Sequence, residues 1–229
     1  MVDPQILSRS RRQILRTLAL LAGPVLAQRL EGAMSGCSGG SGFYWLELFD
    51  GKTLTGWLTT NFGGEGKVEV DEDRIVLALG SDLTGITWKG RPMPRVDYEV
   101  KLEARREEGS DFFCGLTFPV NDSYCSLILG GWGGTVVGLS SIDGLDASGN
   151  ETSRLMNFEL NKWYTVALKV TQQNIQAWID GVEIIDQELA GRKISIRPEV
   201  ELSRPFGLAS WRTRAGVRKI VMRRIDPRR

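Results

Sequence analysis

The chain has 229 residues, of which 41% are hydrophobic and 25% are charged, which suits one large soluble domain. Its formal net charge is +1, but residues 1–27 hold four arginines against one aspartate, so the rest of the chain is weakly acidic. This balance excludes the basic surface of a nucleic-acid-binding protein. The absence of histidine excludes the commonest general base and transition-metal ligand.

Residues 1–27 resemble a twin-arginine export signal. The pair Arg11 and Arg12 precedes an apolar run over residues 17–27 that is too short to span a bilayer. Small residues at its end predict cleavage before Gln28. The resemblance implies an exported protein, periplasmic or extracellular, with no membrane span. The alternative is an amphipathic helix that stays in the mature fold.

Residues 28–43 form a predicted linker rich in glycine and serine. Met34 to Cys37 resembles a lipoprotein box, which would make Cys37 a lipid anchor. Arg29 and Glu31 interrupt the apolar run that should lead into such a box. An unpaired thiol in a linker is therefore the alternative.

Beyond residue 43 the chain alternates between short strands and turns. Turn residues recur every ~8–12 positions, a spacing typical of all-β sandwiches. No sustained helical period or internal repeat is present, although one helical turn fits residues 188–195. The predicted strands, apart from those of residues 161–185, cover residues 46–49, 54–57, 68–79, 85–88, 98–105, 111–118, 123–129, 135–139, 206–211 and 217–225.

The clearest pattern lies in residues 161–185. Apolar residues occupy every second position from Tyr164 to Val170, which predicts a strand with one buried face. Residues 171–174 form a polar turn, and Asp180-Gly181 predicts a type I′ hairpin. These three strands resemble a meander of concanavalin-like and laminin-G-like proteins. We predict an all-β fold, a concanavalin-like jelly-roll β-sandwich of two antiparallel sheets.

Residues 48–57, with the sequence LFDGKTLTGW, carry a more specific resemblance. They are similar to the opening of the 3-keto-disaccharide hydrolase-like domain, a jelly roll of secreted bacterial proteins. The resemblance spans residues 44–226, and we assign the domain to residues 44–229. It implies a hydrolase acting on 3-keto-glycosides or related sugars. A family mechanism that uses histidine cannot operate unchanged in this chain.

Residues 111–129 are predicted to form a hairpin with Cys114 opposite Cys125. Both thiols would then lie on the buried face, either as a disulfide or as two packed thiols. The opposite face of this hairpin would carry a polar and aromatic set, Asp111, Phe113, Thr117, Tyr124 and Ser126.

In the strand over residues 98–105, Lys101, Glu103 and Arg105 point away from the core. A jelly roll can bind sugars in a concave outer face, where these side chains would meet those of the hairpin. Under the hydrolase hypothesis, Glu103 or Asp111 is the base, and Arg105, Lys101, Tyr124 or a bound metal stabilises an enolate. Phe113 and Ser126 would contact the sugar. The alternative is an ordinary solvated strand face.

Trp132 stands between two pairs of glycines, Gly130-Gly131 and Gly133-Gly134. Glycines allow close approach of a ligand to the backbone, and an exposed indole can stack on a sugar ring. The alternative is a packed loop with Trp132 as its plug.

Residues 143–151 are rich in oxygen ligands, and the set Asp143, Asp146, Ser148 and Asn150 suits a calcium ion. The loop lacks the distal bidentate glutamate of an EF-hand, so an ordinary turn is the alternative.

Two function hypotheses follow, and both have a carbohydrate as the partner. One is the exported hydrolase; the other is a non-catalytic lectin-like or laminin-G-like module that binds glycan or a cell-surface partner. The paired-carboxylate motif of jelly-roll glycosidases is absent, which favours the second hypothesis, and the family resemblance favours the first.

Overall fold

The computed structural model describes residues 44–226, so the predicted signal, the linker and Cys37 lie outside the described residues. Within this part, no helix is long and apolar enough to cross a membrane. A 3-10 helix covers Pro198–Ser203. The described strands are, in chain order, β1 (Leu46–Glu47), β2 (Trp57–Thr59), β3 (Val68–Asp71), β4 (Arg74–Leu77), β5 (Leu83–Trp88), β6 (Tyr98–Gly109), β7 (Cys114–Val120), β8 (Ser123–Gly131), β9 (Val136–Ser140), β10 (Arg154–Leu155), β11 (Tyr164–Val170), β12 (Asn174–Ile179), β13 (Val182–Glu188), β14 (Gly207–Trp211) and β15 (Thr213–Arg224).

The strands form two antiparallel sheets. An eight-stranded sheet has the order β13-β12-β11-β6-β15-β4-β3, with β1 also paired to β15. A seven-stranded sheet has the order β10-β9-β8-β7-β14-β5-β2. The predicted all-β jelly-roll sandwich is confirmed.

The meander of β11, β12 and β13 is built as its sequence predicts. Both turn residues after β12 have positive φ, +50° at Asp180 and +79° at Gly181, which is the type I′ geometry. Two other predictions are wrong. The strand over residues 68–79 is a hairpin, β3 and β4, because Glu72 adopts a positive φ, and the helical turn forms at Pro198–Ser203 instead of at residues 188–195.

The core lies between the two sheets and is built by alternation. Tyr98, Val100, Leu102 and Ala104 of β6 are all buried, and their neighbours in sequence point outward. The Tyr98 hydroxyl crosses the sandwich and donates to the Pro119 carbonyl at 2.5 Å. Burial raises the pKa of Tyr98 well above its ordinary value, so the hydroxyl stays a donor.

The outer face of the eight-stranded sheet carries paired charges and is called the ionic face below. Glu103 accepts hydrogen bonds from Arg218 at 2.7 Å and from Lys219 at 2.8 Å. The guanidinium groups of Arg105 and Arg218 flank the Trp163 ring at 4.6 and 4.1 Å from its centroid. The ionic face comprises Trp45, Glu99, Lys101, Glu103, Arg105, Glu107, Trp163, Arg218 and Arg223.

The hairpin of β7 and β8 has a different register from the predicted one. Cys114 pairs with Leu129, and Cys125 pairs with Phe118. Four residues along a strand separate the two cysteines, about 13 Å at the usual rise per residue, so the predicted disulfide is wrong. Both thiols are buried and free. The error arose because Pro119 was expected in the turn, whereas the strand runs through it to Val120.

Candidate functional site

The outer face of the seven-stranded sheet contains a groove with a cavity of about 250 Å³. Segments before β7, after β8 and around the 3-10 helix form its walls. The lining residues are Leu83, Asp111, Phe112, Ser126, Ile128, Trp132, Ser140, Arg197, Glu199, Val200 and Trp211.

The floor of the groove, Ser126, Ile128 and Ser140, comes from β8 and β9. These residues point outward because Cys125, Leu127 and Leu129 fill the core with the opposite parity. The Ser126 hydroxyl lies 2.9 Å from that of Thr117. The floor therefore offers hydroxyl groups beside an aliphatic side chain.

Two glycines let Phe112, a wall residue, and Ala147 lie directly on the sheet. A Cβ at Gly115 would be 3.0 Å from the Phe112 ring, and a Cβ at Gly138 would be 2.9 Å from the Ala147 carbonyl oxygen. Phe112 and Ala147 pack with Ile128 and Val136 in a small apolar cluster on this outer face. This cluster is separate from the main core and supports the groove.

Aromatic side chains form two of the walls. Trp132 follows β8 with φ +48°, and 42% of its surface is exposed. Trp211 closes β14, and its ring centroid lies 6.4 Å from that of Phe112. The exposed indole of Trp132 is suited to stacking against the C–H face of a sugar ring, whereas Trp211 is half-buried, with Arg212 5.6 Å from its ring centroid.

Asp111 lies between the two aromatic walls, and backbone amides hold its carboxylate. Oδ1 accepts from the Phe112 N–H at 2.7 Å, and Oδ2 accepts from the Gly133 N–H at 3.3 Å. Within residues 44–226, no lysine or arginine nitrogen forms an ion pair with it. The carboxylate therefore faces the groove without a direct cationic partner.

The remaining wall carries an ion-pair chain. Arg197 donates to Asp146 Oδ2 at 2.9 Å and to Glu199 Oε1 at 2.7 Å. The hydrogen bond from Arg197 holds the pKa of Glu199 below its usual value, so Glu199 remains ionised. An ionised glutamate can accept a proton or a hydrogen bond but is a poor acid.

The structure brings together Asp111, Ser126 and Trp132, three of the predicted site residues. It separates them from Lys101, Glu103 and Arg105, which lie on the ionic face. The predicted single site is wrong in this respect. The reason is that β6 belongs to the eight-stranded sheet, so its outward side chains point away from the groove.

Two further predicted residues lie near the groove but outside its lining. Tyr124 shares the outer face of β8 with Ser126, where Arg95 and Arg204 stack on its ring at 4.9 and 5.2 Å. Phe113 is buried in the core against Phe158, with ring centroids 5.0 Å apart. Its predicted outward position is wrong because β7 begins at Cys114, after an irregular pair that turns Phe112 outward.

The predicted calcium ligands have other partners. Asp143 accepts from Arg192 and from the Lys193 N–H, both within 2.8 Å. Asp146 Oδ1 accepts from the Ser148 N–H and hydroxyl, and its other oxygen meets Arg197. The amide of Asn150 is buried and donates to backbone carbonyls. Protein donors therefore occupy these carboxylates, and residues 44–226 contain no group of three or more Asp, Glu, Cys or His side chains that could hold a metal ion, so the structure does not support the predicted calcium site.

Phe112, Arg197 and Glu199 were missed by the sequence analysis. Phe112 follows the alternation of a core residue, and only the irregular entry to β7 turns it outward. Arg197 and Glu199 flank Pro198, the first residue of the 3-10 helix. No local pattern indicates that this helix packs beside β14.

The model of the 3-keto-alpha-glucoside-1,2-lyase-like domain family matches residues 44–223. The resemblance carried by residues 48–57 is thereby confirmed. No curated protein matches the chain.

Solved structures share the fold at low identity. The Crh5 transglycosylase is 13% identical with a TM-score of 0.53, and the match covers 80% of this chain and 85% of that one. A conserved carbohydrate esterase of the Shiga toxin-encoding bacteriophage phi24B is 11% identical with a TM-score of 0.53 over 80% of this chain and 100% of the other. At such identities the likeness establishes the sandwich fold alone and leaves the ligand and the reaction open.

Proposed function

Because the chain belongs to the family of 3-keto-alpha-glucoside-1,2-lyase-like domains, we propose that it binds a sugar in the groove and cleaves 3-keto-glycosides there, with Asp111 as the base. The observation that carries the proposal is the Asp111 carboxylate, held by two backbone N–H groups between aromatic walls.

The proposed reaction is a 1,2-elimination. A ketone at C3 acidifies the hydrogen on C2, and Asp111 takes that proton. The electron pair of the broken C2–H bond forms a C2=C3 enolate, with the negative charge on the C3 oxygen. As the C3 carbonyl re-forms, that pair makes the C1=C2 double bond and the C1–O bond breaks. The leaving oxygen keeps the pair from C1 and takes up a proton from the Asp111 carboxyl group or from water. Addition of water across the new double bond would complete a net hydrolysis.

The groove suits a single sugar ring. Its cavity of about 250 Å³ is smaller than the ~300–1,000 Å³ typical of sites for drug-sized ligands. Trp132 and Trp211 offer stacking surfaces, while Ser126 and Ser140 offer hydroxyl groups. We assign ring positioning to these four residues.

Among residues 44–226, Arg197 is the cationic side chain that lines the cavity, and we assign it the stabilisation of the enolate oxygen. Glu199 stays ionised beside it and cannot serve as a proton donor. The acid-and-nucleophile pair of ordinary glycosidases is therefore not part of the proposal.

The second candidate is non-catalytic glycan binding in the same groove. It is favoured by one observation: Arg197 already meets two carboxylates, those of Asp146 and Glu199. Because these two carboxylates neutralise its charge, Arg197 would stabilise a negatively charged enolate less strongly.

The test uses p-nitrophenyl 3-keto-α-D-glucopyranoside, whose elimination releases coloured p-nitrophenolate. Asp111→Asn should lower kcat by about 10² or more, the scale for removing a general base. Asp122→Asn, an exposed carboxylate in the turn between β7 and β8, is the matched control and should keep full activity.

Binding of unoxidised p-nitrophenyl α-D-glucopyranoside separates the two candidates. Wild type without turnover, but with binding that Trp132→Ala abolishes, would establish the non-catalytic module. Unchanged turnover in Asp111→Asn would refute the assigned base. The absence of both turnover and binding would refute a glucoside site in this groove.

A further inference from the structure

Arg106 is a buried cation that the proposed reaction does not use. It occupies the next inward position of β6 after Ala104, and only 7% of its surface is exposed. Its Nη2 donates to the Gly134 carbonyl at 2.7 Å. Its Nε has no hydrogen-bond partner among residues 44–226. Burying a charged side chain costs free energy unless its hydrogen bonds and charge are compensated, so a buried arginine is uncommon.

The guanidinium of Arg106 reaches across the sandwich to the turn after β8. A Cβ at Gly130 would lie 2.5 Å from Nη2, and a Cβ at Gly134 would lie 2.8 Å from the Ser110 carbonyl oxygen and 3.1 Å from Nη1. The guanidinium of Arg106 therefore packs directly against the backbone of both glycines of the predicted ligand-binding loop. By contrast, a Cβ at Gly133 would meet no heavy atom within 4 Å, because this residue faces outward.

The same turn forms part of the groove. Its closing bond joins the Gly134 N–H to the Gly131 carbonyl at 3.2 Å, with Trp132 at the tip. The Gly133 N–H donates to Asp111 Oδ2. Arg106 thus binds the turn from inside the sandwich through the Gly134 carbonyl. The neighbouring residue, Gly133, contacts the proposed base, Asp111.

The surroundings of the Arg106 guanidinium include an aromatic ring and the negative charge of Asp111, both of which favour its charged form. Its guanidinium lies 5.4 Å from the centroid of the Phe113 ring. Burial lowers the pKa of Arg106, and the negative charge of Asp111 opposes that change. An arginine remains protonated in proteins, so a positive charge persists behind the Asp111 carboxylate.

We infer that Arg106 is a positioning residue of the groove, which fixes the turn that carries Trp132 and presents the Gly133 N–H to Asp111. The catalytic meaning of this role rests on the proposed function. The positioning itself is a property of the ligand-free protein and is measurable without any substrate.

The test compares two neighbouring arginines that point in opposite directions. The protein is labelled with 5-fluorotryptophan, and Trp132→Phe and Trp163→Phe assign two of the seven ¹⁹F resonances. Arg106→Met should shift the Trp132 resonance and leave that of Trp163 in place. Arg105→Met, the matched control, should do the reverse, because Arg105 stacks on Trp163.

Steady-state kinetics with p-nitrophenyl 3-keto-α-D-glucopyranoside provide the second readout. Arg106→Met should lower kcat/KM by at least ~10-fold, since small displacements of positioned groups cost up to ~10²-fold. Arg105→Met should leave kcat/KM within about twofold, since Arg105 has no contact with the groove.

A folded Arg106→Met with an unmoved Trp132 resonance would overturn the inference, because a residue that only fills the core would lower stability without moving the turn. If Arg106→Met does not fold, the Trp132 resonance is measured in Arg106→Lys instead. This variant keeps the charge but lacks the planar guanidinium, so the same shift is expected. If the wild-type protein shows no turnover, the proposed lyase reaction is refuted but the positioning role of Arg106 is not. The Trp132 and Trp163 resonances would still test that role.

Discussion

Cys114 and Cys125 lie on neighbouring strands, and burial raises the pKa of each thiol to about 12. Only the thiolate reacts readily with alkylating reagents, so the folded protein should protect both residues. We expect a Cys37→Ser variant to take up no iodoacetamide at pH 8 in its native state. In urea without reductant it should take up two equivalents, measured by mass spectrometry. No uptake in urea would indicate a disulfide and contradict the register of β7 and β8.

Glu107 is the anionic centre of the ionic face. It meets Arg105 at 2.7 Å, Arg74 at 3.1 Å and Arg214 at 3.0 Å, and only 8% of its side chain is exposed. Burial acts to raise the pKa of Glu107, but the hydrogen bonds and charges of these arginines outweigh it. The net pKa therefore lies below its ordinary value of 4.5.

Glu107→Gln should lower the free energy of unfolding by roughly 2 kcal/mol, less than the ~3–5 kcal/mol for a fully buried pair, because the arginines are partly exposed. A lowered folded pKa stabilises the protein above the unfolded pKa, and this contribution is lost as pH falls through the folded pKa. The difference from wild type in urea denaturation should therefore be present at pH 7 and shrink below about pH 4.5.

Glu159→Gln is the control for that experiment. Glu159 pairs with Lys162 on the surface, and such exposed pairs contribute little. A Glu159→Gln effect as large as that of Glu107→Gln would contradict the buried role of Glu107.

The 3-10 helix Pro198–Ser203 packs against β14 through a glycine. A Cβ at Gly207 would lie 2.6 Å from the Ser203 carbonyl oxygen and 2.9 Å from that of Ile86. Gly207→Ala should therefore displace the helix and lower the unfolding free energy by about 1–3 kcal/mol. Since the helix carries Glu199 and Val200, sugar binding in the groove should weaken as well.

Gly149→Ala provides the comparison, because a Cβ at Gly149 meets no heavy atom within 4 Å. It should change the unfolding free energy by less than ~0.5 kcal/mol. Equal melting temperatures for the two variants would show that the helix does not rest on β14 as described.

Which side chains of a single strand face the core could be predicted from the sequence, because successive side chains of a strand point to opposite faces of the sheet. The prediction that Lys101, Glu103 and Arg105 of β6 point away from the core is confirmed, and the residues between them are buried. The same parity, continued by one step, places Arg106 inside, and this signal was overlooked because an arginine is an unusual core residue. The register of β7 and β8 was missed because it depends on which residues form the turn.

The assignment of strands to sheets could not be predicted at the scale of the whole molecule. Sequence parity shows that Glu103 and Asp111 both avoid the core, yet it does not show that they leave by opposite sides of the sandwich. That separation follows from the pairing of β6 with β11 and β15, which is set by contacts between residues distant in the chain. The sequence therefore indicated which side chains point outward, but it could not indicate which of them share one face.

Export is a property of the whole chain, and we propose that residues 1–27 direct it. Replacing Arg11 and Arg12 by lysine should trap uncleaved precursor in the cytoplasm of a bacterial host that has a twin-arginine pathway. Cell fractionation and immunoblotting would measure this against the wild-type chain. Normal export of the double variant would exclude this signal.

Gly115 and Gly138 let Phe112 and Ala147 rest directly on the backbone of the seven-stranded sheet. The depth of the cavity is thus set by atoms that a bound ligand never touches. A larger residue at Gly115 would displace Phe112, which lines the cavity, and would therefore change the space for a sugar. A chain of this fold can therefore change the size of ligand that it accepts while its entire binding surface keeps the same amino acids.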